Sequence, residues 1–231
     1  MVIHLLHIGK TGGSALSGIL RKSKALISAN GFALERHGHK GSIEEVLRKD
    51  PGKVMFFVRH PVSRFVSAFN SRLRMGLPGH YTRWTPGETA AFALFKEPDA
   101  LASALTSNDR KIRAAAAVSM TEIGHIRQPI EKWTGKPKVL ARQHEVVFFI
   151  GVQETFDDDC RALLRKFRVD DTLPSMSERR AHVAPQGMST ALSERAIANL
   201  MKWYQNDVAI YDWCMENRSI INAREDETSA S

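Results

Sequence analysis

Three short segments of the chain are almost wholly apolar, and each is followed by a segment whose apolar residues have helical spacing. The apolar segments lie at residues 2–8 (VIHLLHI), 53–59 (KVMFFVR) and 145–151 (EVVFFIG). Runs of this length are typical of strands that are covered on both faces. A fourth, more polar strand is predicted at the start of residues 31–41 (GFALERHGHKG). Strands that alternate with helices predict an α/β fold with a mostly parallel sheet flanked by helices.

Helix starts are marked by capping residues along the chain. Ser42 with Glu45, and Thr85 with Glu88, have the spacing of capping boxes, and a proline follows Thr85 at the first helical position. The predicted helices are residues 14–27, 42–49, 61–75, 88–133 with breaks near Pro98 and Pro129, 155–167 and 192–216.

Two of these helices have an apolar side that predicts contact with a core. The residues concerned are Leu16, Ile19, Leu20 and Leu26 in the first helix, and Ile197, Leu200, Met201 and Tyr204 in the last. The acidic run 157–159 matches the dipole at the start of its helix. We expect one domain over residues 1–221 with a helical C-terminal part, and a disordered tail over residues 222–231.

Composition changes this picture only slightly. The 231 residues are 43% hydrophobic and carry a net charge of +8, which favours polyanionic partners or simply aids solubility. The two cysteines lie far apart and lack metal-ligand spacing, which indicates a reducing compartment. With no long apolar run and no recognisable signal peptide before the first strand, we expect a cytoplasmic protein without stable membrane insertion.

The segment HIGKTGGSAL, residues 7–16, joins the first strand to the first helix through a glycine-rich turn. Main-chain N–H groups at a helix N-terminus attract anions, and Lys10 adds a positive charge. The side-chain hydroxyls of Thr11 and Ser14 add further donors. We therefore expect phosphate or sulfate to bind here, at Gly9, Lys10, Thr11, Gly12, Gly13, Ser14 and Ala15.

This turn differs from the long phosphate-binding loop of nucleoside triphosphatases. That loop has the pattern GxxxxGK[ST], and the position of its first glycine is taken here by His4, inside the predicted strand. Triphosphatases also end a second buried strand in a magnesium-binding aspartate, whereas the strand VMFFV ends in Arg59. A cation at this strand end predicts a second anion, bound without a metal.

The segment after that strand, FFVRHPVSRFVSAFNSRLR, residues 56–74, is rich in arginine and serine. Arg59 stands at a strand end, where ligands bind in parallel sheets, and Ser67 lies in the following helix. A guanidinium fits phosphate geometry well. For Arg72 and Arg74, an exposed basic helix face is the simpler interpretation.

Two anion sites at neighbouring strand ends suit a nucleotide with phosphates on both sides of its ribose. HIGKTGGSAL resembles the 5′-phosphosulfate loop of sulfotransferases, and FVRHPVSRFVSAF resembles their 3′-phosphate motif. FFIGVQETFDDDCRALLRKF and LSERAIANLMKWYQNDVAIYDW are similar to later segments of the carbohydrate and heparan 2-O types, here of bacterial style. Gly9 and His60 depart from the residues common in that family, which are proline and aspartate.

The resemblance implies a P-loop-like parallel sheet and the donor 3′-phosphoadenosine 5′-phosphosulfate (PAPS), with adenosine 3′,5′-bisphosphate as product and no metal. Arg59 and Ser67 are then the expected 3′-phosphate ligands, and Lys10 stabilises the leaving oxygen. An acceptor hydroxyl needs a base, for which the resemblance favours His39 and then His37, with Glu35 as a further candidate and a surface histidine pair as the alternative.

The remaining expectations concern the acceptor and a late basic loop. Arg179 and Arg180 either close over the nucleotide or belong to an ordinary solvated loop. Arg74, His80, Tyr81 and Trp84 are candidate contacts for a carbohydrate or small-molecule acceptor, although Trp84 is equally consistent with a core residue.

Three other functions compete with sulfuryl transfer. A P-loop-type nucleotide kinase would need a glycine at position 4 and an aspartate at a strand end, and the sequence has His4 and Arg59 there. A basic module that binds nucleic acid would interleave basic and aromatic residues on one surface or carry a known reading motif; RNP, helix-turn-helix and finger patterns are absent, so we expect no nucleic-acid partner. A catalytically inactive nucleotide-binding protein is the third alternative. The oligomeric state is left open.

Overall fold

The computed structural model describes residues 1–38, 41–169 and 187–225. The described residues divide into two compact units. The first unit is drawn from ranges 1–59, 130–179 and 209–231, and the second from ranges 60–129 and 180–208. The single domain expected over residues 1–221 stays a prediction.

A parallel sheet forms the centre of the first unit. Its strands are β1 (Val2–Leu6), β2 (Ala33–His37), β3 (Lys53–Val58) and β4 (Val147–Val152), in the order β2-β1-β3-β4. All three pairings are parallel, with Leu6 opposite both His37 and Phe56. The predicted α/β fold with a mostly parallel sheet is confirmed. Since the strands are parallel, their carboxyl ends lie at one edge of the sheet.

Most of the predicted helices form, although their ends and number differ. In chain order the described helices are α1 (Gly13–Lys22), α2 (Lys24–Ala29), α3 (Ile43–Lys49), α4 (Pro61–Leu73), α5 (Pro86–Leu94), α6 (Pro98–Ala104), α7 (Arg110–Glu122), α8 (Glu131–Thr134), α9 (Pro137–Arg142), α10 (Phe156–Lys166), α11 (Glu194–Trp203) and α12 (Gln205–Ala223). Both capping boxes are present, at Ser42 with Glu45 and at Thr85 with Glu88.

Two apolar positions were predicted wrongly. The helix expected over residues 14–27 is interrupted at Ser23, and Leu26 is 57% exposed in the second piece. This interruption resets the helical phase, so residues spaced for one continuous face point in different directions. Ile197 is 41% exposed within the unbroken helix α11, whose buried residues are Ala196 and Leu200.

The sheet of the first unit is covered by apolar side chains on both faces. One cluster joins Leu5, Met55 and Phe149 to the buried side of α1 and α10. The other joins Leu6, Phe56, Val58 and Ile150 to residues of α3, α8, α9 and α12. This burial on both faces explains why β1, β3 and β4 are almost wholly apolar in sequence, whereas β2 at the edge of the sheet is more polar.

The end of α12 is attached to the sheet and to α10. The side-chain amide of Asn222 accepts from the main-chain N–H of Ile150 and donates to the carbonyl of Ile150, both at 2.9 Å. Lys166 donates to the carbonyl oxygens of Ile221, Asn222 and Arg224 at 2.8–3.4 Å. The helix therefore continues to Ala223, two residues past the predicted domain end, and residues 226–231 lie outside the described range.

A buried ion pair organises the second unit. Arg72, on α4, donates to both carboxylate oxygens of Glu88 at 2.5 and 2.6 Å, and it also donates to the carbonyls of Thr82 and Arg83. Glu88 further accepts from the main-chain N–H groups of Thr85 and Gly124. Arg72 is therefore buried, and the prediction of an exposed position for it was wrong.

The electrostatic effect on Glu88 follows from these partners. Burial alone would raise the pKa of Glu88, but the hydrogen bonds from Arg72, Thr85 and Gly124 and the charge of Arg72 lower it to about 2. The carboxylate is thus charged over the whole neutral range, where the pair ties α4 to α5 and to the segment after α7.

A second buried arginine lies on the same helix. Arg64 donates to the carbonyl of Gln128 at 2.6 Å, and its guanidinium lies 3.6 Å from the carboxylate of Asp207. The hydroxyl of Tyr204 donates to the carbonyl of Ile126 at 3.0 Å beside them. Two of the arginines that follow Arg59 in sequence are therefore neutralised inside the second unit.

We predict that Arg72→Met lowers the free energy of unfolding by about 3–5 kcal/mol at pH 7, because it leaves the carboxylate of Glu88 buried without its partner. Arg83→Met is the matched control, since Arg83 is exposed, and it should change stability by less than about 0.5 kcal/mol. Urea unfolding measures both.

The same pair predicts a pH dependence. In the wild type the pKa of Glu88 lies below its ordinary value of 4.5. The contribution of the charged carboxylate to the free energy of unfolding is therefore complete above pH 4.5 and is lost as pH falls toward 2. Without Arg72 the buried carboxyl gains from protonation, so the stability difference between wild type and variant should narrow on acidification. A difference that stays constant between pH 7 and pH 3 would contradict this account.

Candidate active site

The turn between β1 and α1 has left-handed main-chain geometry. Lys10 has a φ of 70° and Gly12 a φ of 85°, and Gly12 is the N-cap of α1. The carbonyl of Gly12 accepts the first helical bond, from the N–H of Leu16 at 3.0 Å. The N–H groups of the first helical turn have no partners within a helix, and they carry its positive dipole end. The turn thus has the main-chain geometry of an anion site, and anion binding there stays a prediction.

Two side chains close around the glycines of this turn. A Cβ atom on Gly12 would lie 2.7 Å from the ring of Phe156, and a Cβ atom on Gly13 would lie 2.8 Å from the imidazole of His7. The two glycines are therefore needed for close packing, and Gly12 also for its backbone conformation. Sequence reasoning identified the glycines but missed Phe156, which comes from the start of α10, far away in sequence.

The side chains of the turn differ in what they can offer an anion. Lys10 is half-buried and Ser14 is exposed. Thr11 is buried, and its hydroxyl donates to the carbonyl of Ile8 at 2.8 Å. The hydroxyl proton of Thr11 is thus engaged with Ile8, and a role for this side chain at an anion stays a prediction.

The carboxyl ends of β2 and β3 add further residues at the same edge of the sheet. His37 ends β2 opposite Leu6, and its carbonyl accepts from the N–H of His7 at 3.2 Å. Arg59 directly follows β3 and is half-buried. Arg36, which sequence reasoning did not select, brings its guanidinium to 3.3 Å from the imidazole of His7. Glu35 is exposed on β2.

The imidazole of His37 is held by a second histidine. Its Nε2 lies 3.0 Å from Nδ1 of His4, which is fully buried. Burial lowers the pKa of His37 and the neighbouring His4 lowers it further, while the carboxylates of Glu35 and Asp50 act in the opposite direction. The ring is therefore neutral at pH 7, as an acceptor of protons must be.

The predicted acceptor contacts belong to the second unit. Arg74 donates to the carbonyl of Asn70 and to the sulfur of Met188, both at 3.2 Å. The indole N–H of Trp84 donates to the carbonyl of Arg72 at 2.6 Å, and its ring packs on Phe92. The remaining predicted residues of this unit are Ser67, half-buried on α4, and the exposed His80 and Tyr81. Their roles at a site stay predictions.

Three predicted site residues fall outside the described part of the chain: His39, Arg179 and Arg180. Within residues 1–38, 41–169 and 187–225, no three His, Cys, Asp or Glu side chains are grouped to hold a metal ion. In the same residues, no helix combines the length and apolar character needed to cross a membrane.

We predict that Gly12→Ala destabilises the protein by at least about 1–2 kcal/mol, from the left-handed backbone alone, and weakens anion binding at the turn. Gly18→Ala in α1 is the matched control, because a Cβ atom there meets nothing within 4 Å, and it should stabilise by roughly 0.5–1 kcal/mol. Thermal unfolding of Gly12→Ala, Gly18→Ala and the wild type compares their stabilities. Equal effects of the two substitutions would show that the turn does not require glycine.

We also predict that the C–H signals of His37 titrate in proton NMR with a midpoint below 6.5. The signals are assigned by their loss in His37→Ala. Since folding lowers this pKa, the stability tied to the neutral ring is present above pH 6.5 and is lost as pH falls through the folded midpoint. A midpoint at or above 6.5 would be inconsistent with the environment described for this ring.

Comparison with curated proteins gives no match for this chain. A model described as "Sulfotransferase family" matches residues 2–213, which covers the glycine-rich turn, His37, Arg59 and all four strands. The P-loop-like α/β architecture expected from the sequence is confirmed. The match covers most of the chain, and we conclude that the protein belongs to the sulfotransferase family.

Proposed function

We propose that the protein transfers a sulfuryl group from PAPS to a hydroxyl group of a carbohydrate or small molecule. The observation that carries this proposal is the left-handed turn of residues 7–12, which leads from β1 into α1, with Arg59 directly after the neighbouring strand β3. Family membership supports sulfuryl transfer in general. The donor and the class of acceptor are part of the proposal.

The 5′-phosphosulfate of the donor is assigned to the turn. Main-chain N–H groups at the start of α1 hold its oxygens, and Lys10 stabilises the charge that develops on the leaving phosphate oxygen. Arg59 is assigned to the 3′-phosphate, because a guanidinium can bind two phosphate oxygens at once. Ser67 lies on α4 of the second unit, so its pairing with Arg59 is a prediction from sequence.

His37, which is neutral and partly buried at the end of β2, is assigned as the general base that removes the proton of the acceptor hydroxyl. The acceptor oxygen forms the new bond to sulfur while its proton passes to the imidazole. The bond from sulfur to the bridging phosphate oxygen breaks, and that oxygen keeps the electron pair as adenosine 3′,5′-bisphosphate leaves. His39, the first choice from the sequence, lies outside the described residues and is the competing base, and Glu35 is a weaker one because it is exposed.

Two of the rival functions find little support in the described residues. A P-loop-type kinase would have glycine at the position of His4, which instead is a fully buried strand residue. A nucleic-acid surface would draw on the basic residues of α4, but Arg64 and Arg72 are buried and face carboxylates. Each of these arginines is balanced by its carboxylate, so neither adds to the positive charge that α4 offers to a polyanion.

The donor assignment is tested by thermal unfolding with nucleotides. Adenosine 3′,5′-bisphosphate at 100 times its Kd should stabilise the protein by about 2.7 kcal/mol, whereas ATP with magnesium should have a smaller effect. Arg59→Ala should strongly lower the affinity for adenosine 3′,5′-bisphosphate. The affinity for adenosine 5′-monophosphate, which lacks the 3′-phosphate, should stay almost unchanged. Stabilisation by ATP alone would overturn the proposal.

Transfer itself is tested with labelled PAPS and a panel of sugar and small-molecule acceptors. Lys10→Ala should lower kcat by about 10²–10³-fold, the loss expected when a group that stabilises a developing oxyanion is removed. Lys22→Ala, at the end of α1, is the control and should keep full activity. A Lys10 variant with wild-type turnover would remove that residue from the mechanism.

A further inference from the structure

We propose that His4 is a positioning residue, which fixes the orientation and protonation of His37 so that Nδ1 of His37 accepts the proton of the acceptor hydroxyl. The inference rests on the proposed function for its catalytic consequence. Its structural half, the ordered pair of imidazoles, rests on the contacts of His4 with His37 and with the carbonyl of Asp50, and it can be measured without any substrate.

His4 is held from both sides in the interior of the first unit. It lies on β1 opposite Glu35 of β2, and its side chain is fully buried. Its Nε2 is 2.9 Å from the carbonyl oxygen of Asp50, which follows α3, and its Nδ1 is 3.0 Å from Nε2 of His37. Both ring nitrogens of His4 are thus engaged, which leaves the ring no freedom to flip or turn.

These contacts determine the tautomers when both rings are neutral. A carbonyl oxygen only accepts, so Nε2 of His4 must carry the hydrogen and Nδ1 of His4 must carry the lone pair. That lone pair can accept only if Nε2 of His37 carries a hydrogen. The lone pair of His37 is then at Nδ1, for which the described residues supply no hydrogen-bond partner.

The hydrogen bond between the two rings persists in the charged form that proton transfer produces. When Nδ1 of His37 takes the acceptor proton, the new imidazolium still donates its Nε2–H to His4. An acceptor in this place keeps the ring oriented, as the orienting partner of a catalytic histidine does. Around the ring of His37, the carboxylates of Glu35 and Asp50 favour the charged form, whereas burial, His4 and Lys49 oppose it.

The ordered pair is tested first by NMR on the full chain with ¹⁵N-labelled histidine. Two-bond correlation spectra at a pH above both midpoints should show His4 and His37 as Nε2–H tautomers. The Nε2–H of His37 should give a slowly exchanging signal. That signal should vanish in His4→Phe and persist in His4→Asn, whose carbonyl oxygen can replace the acceptor at Nδ1. An Nδ1–H tautomer at His37 would overturn the proposal.

The catalytic consequence is tested by a kinetic cycle. His37→Ala should lower kcat by about 10²–10⁴-fold, as expected for loss of a general base. His4→Phe should lower kcat by at least about 10-fold with little change in the KM for the donor, and His4→Asn should recover part of the loss. In the His37→Ala background, His4→Phe should cause no further fall.

The outcomes separate the two proposals. If His4→Phe is as harmful without His37 as with it, His4 acts only on folding and the positioning role is refuted. If the wild type transfers nothing from PAPS, the proposed function fails, while the NMR result still decides whether the imidazole pair is ordered. If His4→Phe does not fold, the positioning role is tested by the tautomers of the wild type and by the kinetics and spectra of His4→Asn.

Discussion

The architecture of the first unit depends on how the chain leaves β1. Within residues 7–12 the backbone turns through left-handed conformations at Lys10 and Gly12, and the helix that follows begins at Gly13. The ring of Phe156 and the imidazole of His7 fill the space next to Gly12 and Gly13, so larger residues would displace the turn. Because β1 lies between β2 and β3, the residues that end those strands flank the turn on either side.

Four basic residues around the glycine-rich turn and on α4 differ in their surroundings. Arg64 and Arg72 face carboxylates in the interior of the second unit, where each also donates to main-chain carbonyls. Lys10 and Arg59 belong to the first unit, after the ends of β1 and β3. Each buried arginine is balanced by its carboxylate, so these pairs contribute to the internal structure of the second unit and not to a field that would attract a polyanion.

Sequence patterns predicted the strands well because burial on both faces leaves β1, β3 and β4 almost without polar residues. They also located the glycine turn, the capping boxes and the strand-end Arg59. They did not reveal partners that are distant in sequence: Phe156 against Gly12, Glu88 against Arg72, and His4 against His37. Such pairs depend on how elements pack, and local periodicity carries no information about packing between distant segments. Short interruptions, such as the one at Ser23, were missed because no proline or glycine marks them.

The amide of Asn222 has a consequence for how this protein behaves at high concentration. β4 is an outer strand of the sheet, and the main-chain N–H and C=O of Ile150 on its open side are both bonded to this one side chain. An outer strand with unpaired main-chain groups is a template to which a strand from another molecule can add. The side chain of Asn222 thus occupies the main-chain groups of Ile150 that an added strand would need, and a protein shortened before residue 222 would expose them while keeping every residue assigned to the donor.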